Sequence, residues 1–150
     1  MFDNDCTNFV SQALYHGGGA RMYVAGDPHP GQRNDNRLWW QLWPKRFMST
    51  YSWSAVNNFY KHFMTAQKRA VWVTSWKDVS VGDILLWDFS GGTLDFGHAA
   101  IVSKITSGSW KGVQYAQHSA PYDYRKLSVS LPGVRIKYPN AKVYAIRVWK

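Results

Sequence analysis

The sequence contains one cysteine, Cys6, within the stretch Asp-Cys-Thr-Asn-Phe-Val-Ser-Gln that begins at Asp5. Apolar residues from Phe9 to Leu14 recur at the spacing of one helix face, which predicts a helix with Asp5 as its N-cap. The glycines at 17–19 predict where this helix ends. A cysteine in a first helical turn faces unpaired N–H groups and the positive end of the helix dipole, and both favour the thiolate. Cys6 is therefore a candidate nucleophile, although a lone cysteine is more often a small buried apolar residue.

A cysteine nucleophile needs a base, and histidine is suited to this role because it titrates near neutral pH. Three of the five histidines fit other positions, namely a helix end, a proline-flanked turn and the expected surface of a second helix: His16, His29 and His62. His98 opens a predicted strand over 97–105, where it is either a core histidine or a base. The histidines show no metal-ligand spacing with each other or with Cys6, so we predict no metal site.

The elements that must position these residues change in type along the chain. Two helices are predicted in the first half, the second over 54–65. Strand patterns follow at 70–74, 84–89, 97–105, 113–118, 126–130 and 142–148. Helices followed by a run of antiparallel strands predict an α+β fold. The 150 residues are expected to form a single domain, 1–150, with a core that needs no disulfide. Because the sequence opens directly on the cysteine motif, a missing leader or upstream segment stays an open alternative.

The net charge is +9, and all nine acidic residues are aspartate. Such a chain is attracted to anionic polymers. The basic residues are scattered, and no zinc-finger, helix-turn-helix or RNA-binding motif is present, so nucleic acid is not the expected partner. The sequence has no signal peptide and no apolar run of the roughly 18 residues that a membrane helix needs, so no membrane span is predicted.

Several motifs together resemble one enzyme family. The ten residues from Asp5 to Leu14, with the glycines that follow, resemble the nucleophile helix of the bacterial "putative amidase domain" family, a branch of the CHAP and NlpC-type papain-fold hydrolases. Ser52-Trp53 is similar to a pair that precedes a helix in this family. Three later segments resemble the strand before the catalytic histidine, the strand that carries it and the next strand: Val81-Gly82-Asp83-Ile84-Leu85, Gly97-His98-Ala99-Ala100-Ile101-Val102 and Tyr115-Ala116-Gln117-His118-Ser119.

The resemblance implies a papain-like fold in which the nucleophile-bearing helix packs on an antiparallel sheet. It implies that Cys6 is the nucleophile and that His98 is the general base, which later protonates the leaving amine. His118 is the expected third member that orients His98, with Asp123 and Gln117 as rivals. Adjacent strand residues face opposite sides, so if His118 points toward His98, Gln117 does not. Asp5 is the expected substrate-binding residue.

The resemblance also implies hydrolysis of an amide bond in bacterial peptidoglycan through a Cys6 thioester, without a cofactor. The expected type is an N-acetylmuramoyl-L-alanine amidase, with a stem-peptide endopeptidase, a catalytically inactive wall-binding module and a transglutaminase-like acyltransferase as alternatives. The backbone N–H of Cys6 is one expected oxyanion donor, and the second donor is not identified. The protein is expected to be a monomer, secreted or associated with the cell wall, with peptidoglycan and anionic wall polymers as partners and a bacterial or phage origin.

Overall fold

The structure is a computed structural model that describes residues 3–42, 48–118 and 122–149. The α-helices are α1 Asp3–Gln12, α2 Tyr51–Ser54, α3 Val56–Tyr60 and α4 Leu127–Lys137. Wider π-helical turns extend α1 over Ala13–Gly17 and α3 over Lys61–Ala66. The strands are β1 Ala70–Val73, β2 Ile84–Asp88, β3 His98–Ile105, β4 Val113–Gln117, β5 Tyr122–Lys126 and β6 Lys142–Val148.

The six strands form one antiparallel sheet in the order β1-β6-β2-β3-β4-β5. The helices of the first half precede the strands, which confirms the predicted α+β arrangement. Strand β2 lies in the interior of the sheet, and all five of its residues are buried. This burial explains the run of four apolar residues that precedes Asp88 in this strand, since a strand covered on both faces has no polar side.

Each face of the sheet carries its own apolar core. On one face, Ile84, Leu86 and Ala99 pack with the helices of the first half through residues that include Val10 and Phe59. On the other face, Leu85, Trp87, Ala100 and Tyr115 pack with α4 through Leu127 and Leu131. The period of two along β2 thus divides its side chains between the two cores.

Helix α1 begins at Asp3, so the prediction that Asp5 is its N-cap is wrong. Asp5 lies in the first turn, where its carboxylate is still close to the positive end of the helix dipole. The predicted end at the glycines is confirmed, because the helical segment stops at Gly17 and Gly19 has a φ of +71°.

Two other segments differ from their predicted structure. Residues 126–130 were expected as a strand, but Leu127 begins α4, and β5 covers mostly residues between the strands expected at 113–118 and 126–130. Leu127, Val129 and Leu131 alternate as in a strand. However, Val129 is 67% exposed whereas Leu127 and Leu131 are buried, as an i, i+4 helical pair requires. The second helix, expected over 54–65, is divided at Ala55, whose extended backbone separates α2 from α3.

The prediction that His62 lies on the surface is also wrong, because its side chain is fully buried. Its Nδ1 donates to the carbonyl oxygen of Asn36 at 2.8 Å, so Nε2 is the nitrogen that accepts from Arg69 Nη1 at 3.2 Å. The pKa of His62 is lowered to about 4, mainly by burial; the hydrogen bond to Asn36 opposes this shift, and the positive charge of Arg69 adds to it. His62 is therefore a neutral structural residue at physiological pH.

Among the described residues, no helix is long and apolar enough to cross a membrane.

Candidate functional site

Cys6 lies in the first part of α1, which packs against β3 and β4. The cysteine exposes 1% of its surface, and its Sγ lies 3.8 Å from Oγ1 of Thr7, which is also buried. The sequence correctly placed this thiol near a helix N-terminus, a setting that favours the thiolate.

His98 is the first residue of β3, and Gln117 is the last residue of β4. The imidazole Nε2 donates to Oε1 of Gln117 at 2.9 Å. This contact fixes the tautomer of a neutral ring: Nε2 carries the hydrogen, and Nδ1 is the nitrogen that can take up a proton. The indole of Trp87 contacts the imidazole edge to face at 5.0 Å, so an aromatic wall and an amide both restrict its orientation.

The structure corrects the predicted placement of His118. The contact with His98 that was expected for His118 is made by Gln117, the rival on the same strand. Gln117 follows Ala116, the last β4 residue that pairs with β3, and its contact with His98 places the two side chains on one side of the sheet. The next residue, His118, faces the opposite side. Asp123, the other rival, lies exposed on β5.

His118 faces α1 instead. Its Nδ1 lies 2.6 Å from Oδ2 of Asp5, and its ring stacks on Phe9 with the ring centres 5.7 Å apart. Both members of the Asp5–His118 pair are about half exposed. Since Gln117 is joined to His98 and its neighbour His118 to Asp5, these contacts tie the start of α1 and the start of β3 to the same end of the sheet. The roles predicted for Asp5 in substrate binding and for His118 in catalysis stay predictions.

Other residues of the cysteine motif hold α1 in place. Asn8 accepts a hydrogen bond from Trp53 Nε1 at 2.8 Å. Ser11 donates to the Trp53 carbonyl oxygen at 2.8 Å and accepts from Trp39 Nε1 at 3.2 Å. Trp53, from the Ser-Trp pair recognised in the sequence, is therefore a docking point for the cysteine helix.

The loop between β2 and His98 is organised by Asp88, a residue that the sequence analysis did not select. Its buried carboxylate accepts from backbone N–H groups and one hydroxyl at 2.8–3.1 Å, the donors being Ser90, Gly91, Thr93 and Leu94. Burial alone would raise the pKa of Asp88, but the hydrogen bonds from this loop hold that pKa below its ordinary value. The signal in the sequence is Asp88-Phe89 followed by Ser-Gly-Gly-Thr, because a short acidic side chain readily accepts from a following turn.

Comparison of the sequence with known protein families gives a match. The family model described as "Putative amidase domain" matches residues 1–146. The chain belongs to this family. No solved structure matches the chain at a significant level.

The sequence of this chain is also similar to that of the "Uncharacterized protein YhbB" of Bacillus subtilis (strain 168). It is 31% identical over 143 aligned positions, and the match covers 91% of this chain and 42% of the relative. The chain thus spans less than half the length of that protein. Membership in the putative amidase domain family indicates an amidase-like hydrolase, and the site described above provides the residues with which to explain such an activity.

Proposed function

We propose that this protein is a cysteine amidase with a papain-like fold of the CHAP/NlpC type. Cys6 is its nucleophile, His98 its general base and acid, and Gln117 the positioning residue for His98. The observation that carries the proposal is the 2.9 Å contact between His98 Nε2 and Gln117 Oε1, at the end of the sheet to which the start of the cysteine helix is tied. Family membership supports the hydrolytic class.

In this mechanism His98 acts through Nδ1, since Nε2 donates to Gln117. Nδ1 takes the proton of the Cys6 thiol, and the thiolate attacks the amide carbonyl carbon. The C–N bond then breaks, the amine leaves with the proton from Nδ1, and a thioester remains on Cys6. Water, deprotonated by the same nitrogen, releases the acid and restores the thiol. The neutral amide of Gln117 fixes the ring without adding a charge to it.

The proposed substrate is bacterial peptidoglycan, and the proposed bond is the amide between the N-acetylmuramoyl lactyl group and L-alanine. The net charge of +9 supports action on an anionic wall. It also supports the proposal that the protein is a monomer that is secreted or associated with the cell wall. Cleavage within the stem peptide is the alternative that uses the same chemistry.

The test of the reaction is mass spectrometry of muropeptides from purified walls treated with the full chain. An amidase releases stem peptides with a free alanine amine, whereas an endopeptidase leaves alanine attached to the lactyl group. We expect Cys6→Ala to abolish release while its circular dichroism stays unchanged. His98→Ala should do the same, and His29→Ala, which removes an exposed imidazole elsewhere, should stay active. Full activity of Cys6→Ala would refute the mechanism.

A second test separates Gln117 from His118. Gln117→Ala should lower kcat about 100-fold with little change in KM, because it removes orientation of the base rather than a substrate contact. Gln117→Asn, which keeps an amide, should retain part of the activity. Since His118 Nδ1 contacts Asp5, His118→Ala should leave the pH dependence of kcat unchanged. If His118→Ala lowered kcat as much as Gln117→Ala and also shifted the pH dependence of kcat, His118 rather than Gln117 would be the residue that orients His98.

A further inference from the structure

Two adjoining cavities lie on the β1–β6 side of the sheet. The larger has a volume of about 470 Å³, and its lining includes Trp72, Trp76, Leu94 and Tyr144. The smaller has a volume of about 200 Å³, and its lining includes Trp110, Arg135 and Lys142. Trp76, Val143 and Tyr144 line both, so the cavities form one groove. We call it the tryptophan groove and define it by Trp72, Trp76, Trp110, Lys142, Val143 and Tyr144.

The floor of the groove exposes one backbone amide at the edge of β6. Strand β1 pairs with β6 only as far as Val73, opposite Ala145. Strand β2, on the other side of β6, pairs with it as far as Lys142, the first residue of β6. Trp149 N donates to the Arg69 carbonyl oxygen, so every second β6 residue before Trp149 directs its N–H and C=O toward β1. These residues are Arg147, Ala145 and Val143, and Val143 lies beyond the last residue of β1. Within the described residues, no backbone hydrogen bond outside the helices and strands involves Val143.

The walls of the groove are aromatic and cationic. Three indoles and the Tyr144 ring provide flat apolar surfaces, and Lys142 and Arg135 provide positive charge. Among the described residues that line either cavity, none is acidic. Flat aromatic faces stack on the apolar faces of sugar rings, and exposed cations attract carboxylates.

We propose that the tryptophan groove binds an N-acetylated sugar of an anionic glycan. The sugar ring stacks on an indole, the acetamido oxygen accepts from Val143 N–H, and the acetamido N–H donates to the Val143 carbonyl oxygen. The open edge spans only one such residue, which matches a single amide group, whereas an added peptide strand would need several. The lactyl carboxylate of a muramic acid that no longer carries a stem peptide meets Lys142 and Arg135.

The groove lies in line with the candidate catalytic histidine. Val143 pairs with Trp87, and Trp87 pairs with His98, so the three residues form one row across β6, β2 and β3. Adjacent strands are about 4.8 Å apart, which places Val143 roughly 10 Å from His98. A glycan held in the groove therefore presents substituents of a neighbouring sugar toward the cysteine site. This assignment rests on the proposed function for the identity of the glycan, but the binding itself can be measured without turnover.

The test uses the full chain with Cys6→Ala and isothermal titration calorimetry. The probes are chitotetraose, which carries acetamido groups, and cellotetraose, which has the same linkage with hydroxyl groups in their place. We expect chitotetraose to bind more tightly and Trp76→Ala to weaken it about tenfold. Trp149→Ala, which removes a tryptophan that is 57% exposed beyond the other end of β6, is the matched control and should leave binding unchanged. Lys142→Gln should weaken only a tetrasaccharide that contains muramic acid.

Equal affinity for the two probes, or equal binding after Trp76→Ala, would overturn the assignment. Displacement of chitotetraose by a synthetic stem peptide with higher affinity would assign the groove to peptide instead. If Trp76→Ala does not fold, an NMR contact between the acetyl methyl group and the Trp76 ring in the Cys6→Ala chain decides the matter, and its absence refutes the assignment. If the wild-type chain cuts muropeptides but the Cys6→Ala chain does not bind chitotetraose, only the groove assignment is refuted. If chitotetraose binds but no amide is cut, only the proposed function is refuted.

Discussion

The buried pair of His62 and Arg69 predicts a defined loss of stability in mild acid. In the folded protein Nδ1 of His62 donates to Asn36 and Nε2 accepts from Arg69, so a second ring proton would point at a guanidinium. Burial holds the pKa of His62 at about 4, below its ordinary value of 6.5. The unfolded chain therefore binds this proton more strongly than the folded chain does. Stability is fully present above about pH 6.5 and is lost as the pH falls toward 4.

The size of the effect follows from the two pKa values. A difference of about 2.5 units corresponds to about 3 kcal/mol when the titration is complete. About 2 kcal/mol of that should be lost between pH 7 and pH 5. The guanidinium of Arg69 also stacks over Tyr23 at 4.2 Å and Phe63 at 4.9 Å, which leaves it little room to move away from a charged ring.

The assay is urea unfolding from pH 7 to pH 4.5 for the wild-type chain and His62→Gln. Glutamine can donate to Asn36 and accept from Arg69 but does not titrate. Between pH 7 and pH 5 the free energy of unfolding of His62→Gln should therefore fall by about 2 kcal/mol less than that of the wild type. His29→Gln, at an exposed position, should follow the wild-type curve. Parallel curves for the wild type and His62→Gln would refute the reasoning, as would an NMR titration of His62 with a midpoint near 6.5.

Two further predictions concern the loop that leads to His98. Asp88→Asn leaves one acceptor oxygen where the carboxylate has two, and should lower the free energy of unfolding by about 2 kcal/mol in urea titrations at pH 7. Wild-type stability would show that the loop does not depend on the charge. Gly91 has a φ of +77°, and a Cβ there would meet the carbonyl oxygen of Asn140. Gly91→Ala should therefore lower the Tm by several degrees in calorimetry, whereas Gly17→Ala, where a Cβ meets nothing within 4 Å, should lower it much less.

The parts of the fold that follow from local pattern were predictable. The strand expected at 142–148 is β6, and the glycines at the end of the first helix end it as expected. Periodicity was ambiguous over 126–131, where three apolar residues at alternate positions (Leu127, Val129 and Leu131) fit a strand as well as a short helix. Which one forms depends on the burial of Leu127 and Leu131 against the sheet face that carries Leu85 and Trp87. That face exists only when the sheet has assembled.

The candidate site was predictable in its residue types but not in its pairing. Cys6 and His98 were recognised from the residues around them, and the alternation rule already stated that Gln117 and His118 cannot both face His98. Choosing between them requires the register of β3 against β4, which the sequence does not reveal. His62 was misplaced for a related reason, because its neighbour Lys61 suggested a surface position and only tertiary contacts bury the ring.

The pair of Asp5 and His118 has a consequence for when the site can form. The two residues are 113 positions apart, and His98 meets Gln117 only when β4 has joined β3. A chain leaving the ribosome from its amino end releases the cysteine helix first and the strands later. Until β4 emerges, the proposed base His98 lacks the Gln117 amide that orients it. Under the proposed mechanism, hydrolysis therefore begins only after β4 has joined β3, late in the synthesis of the chain.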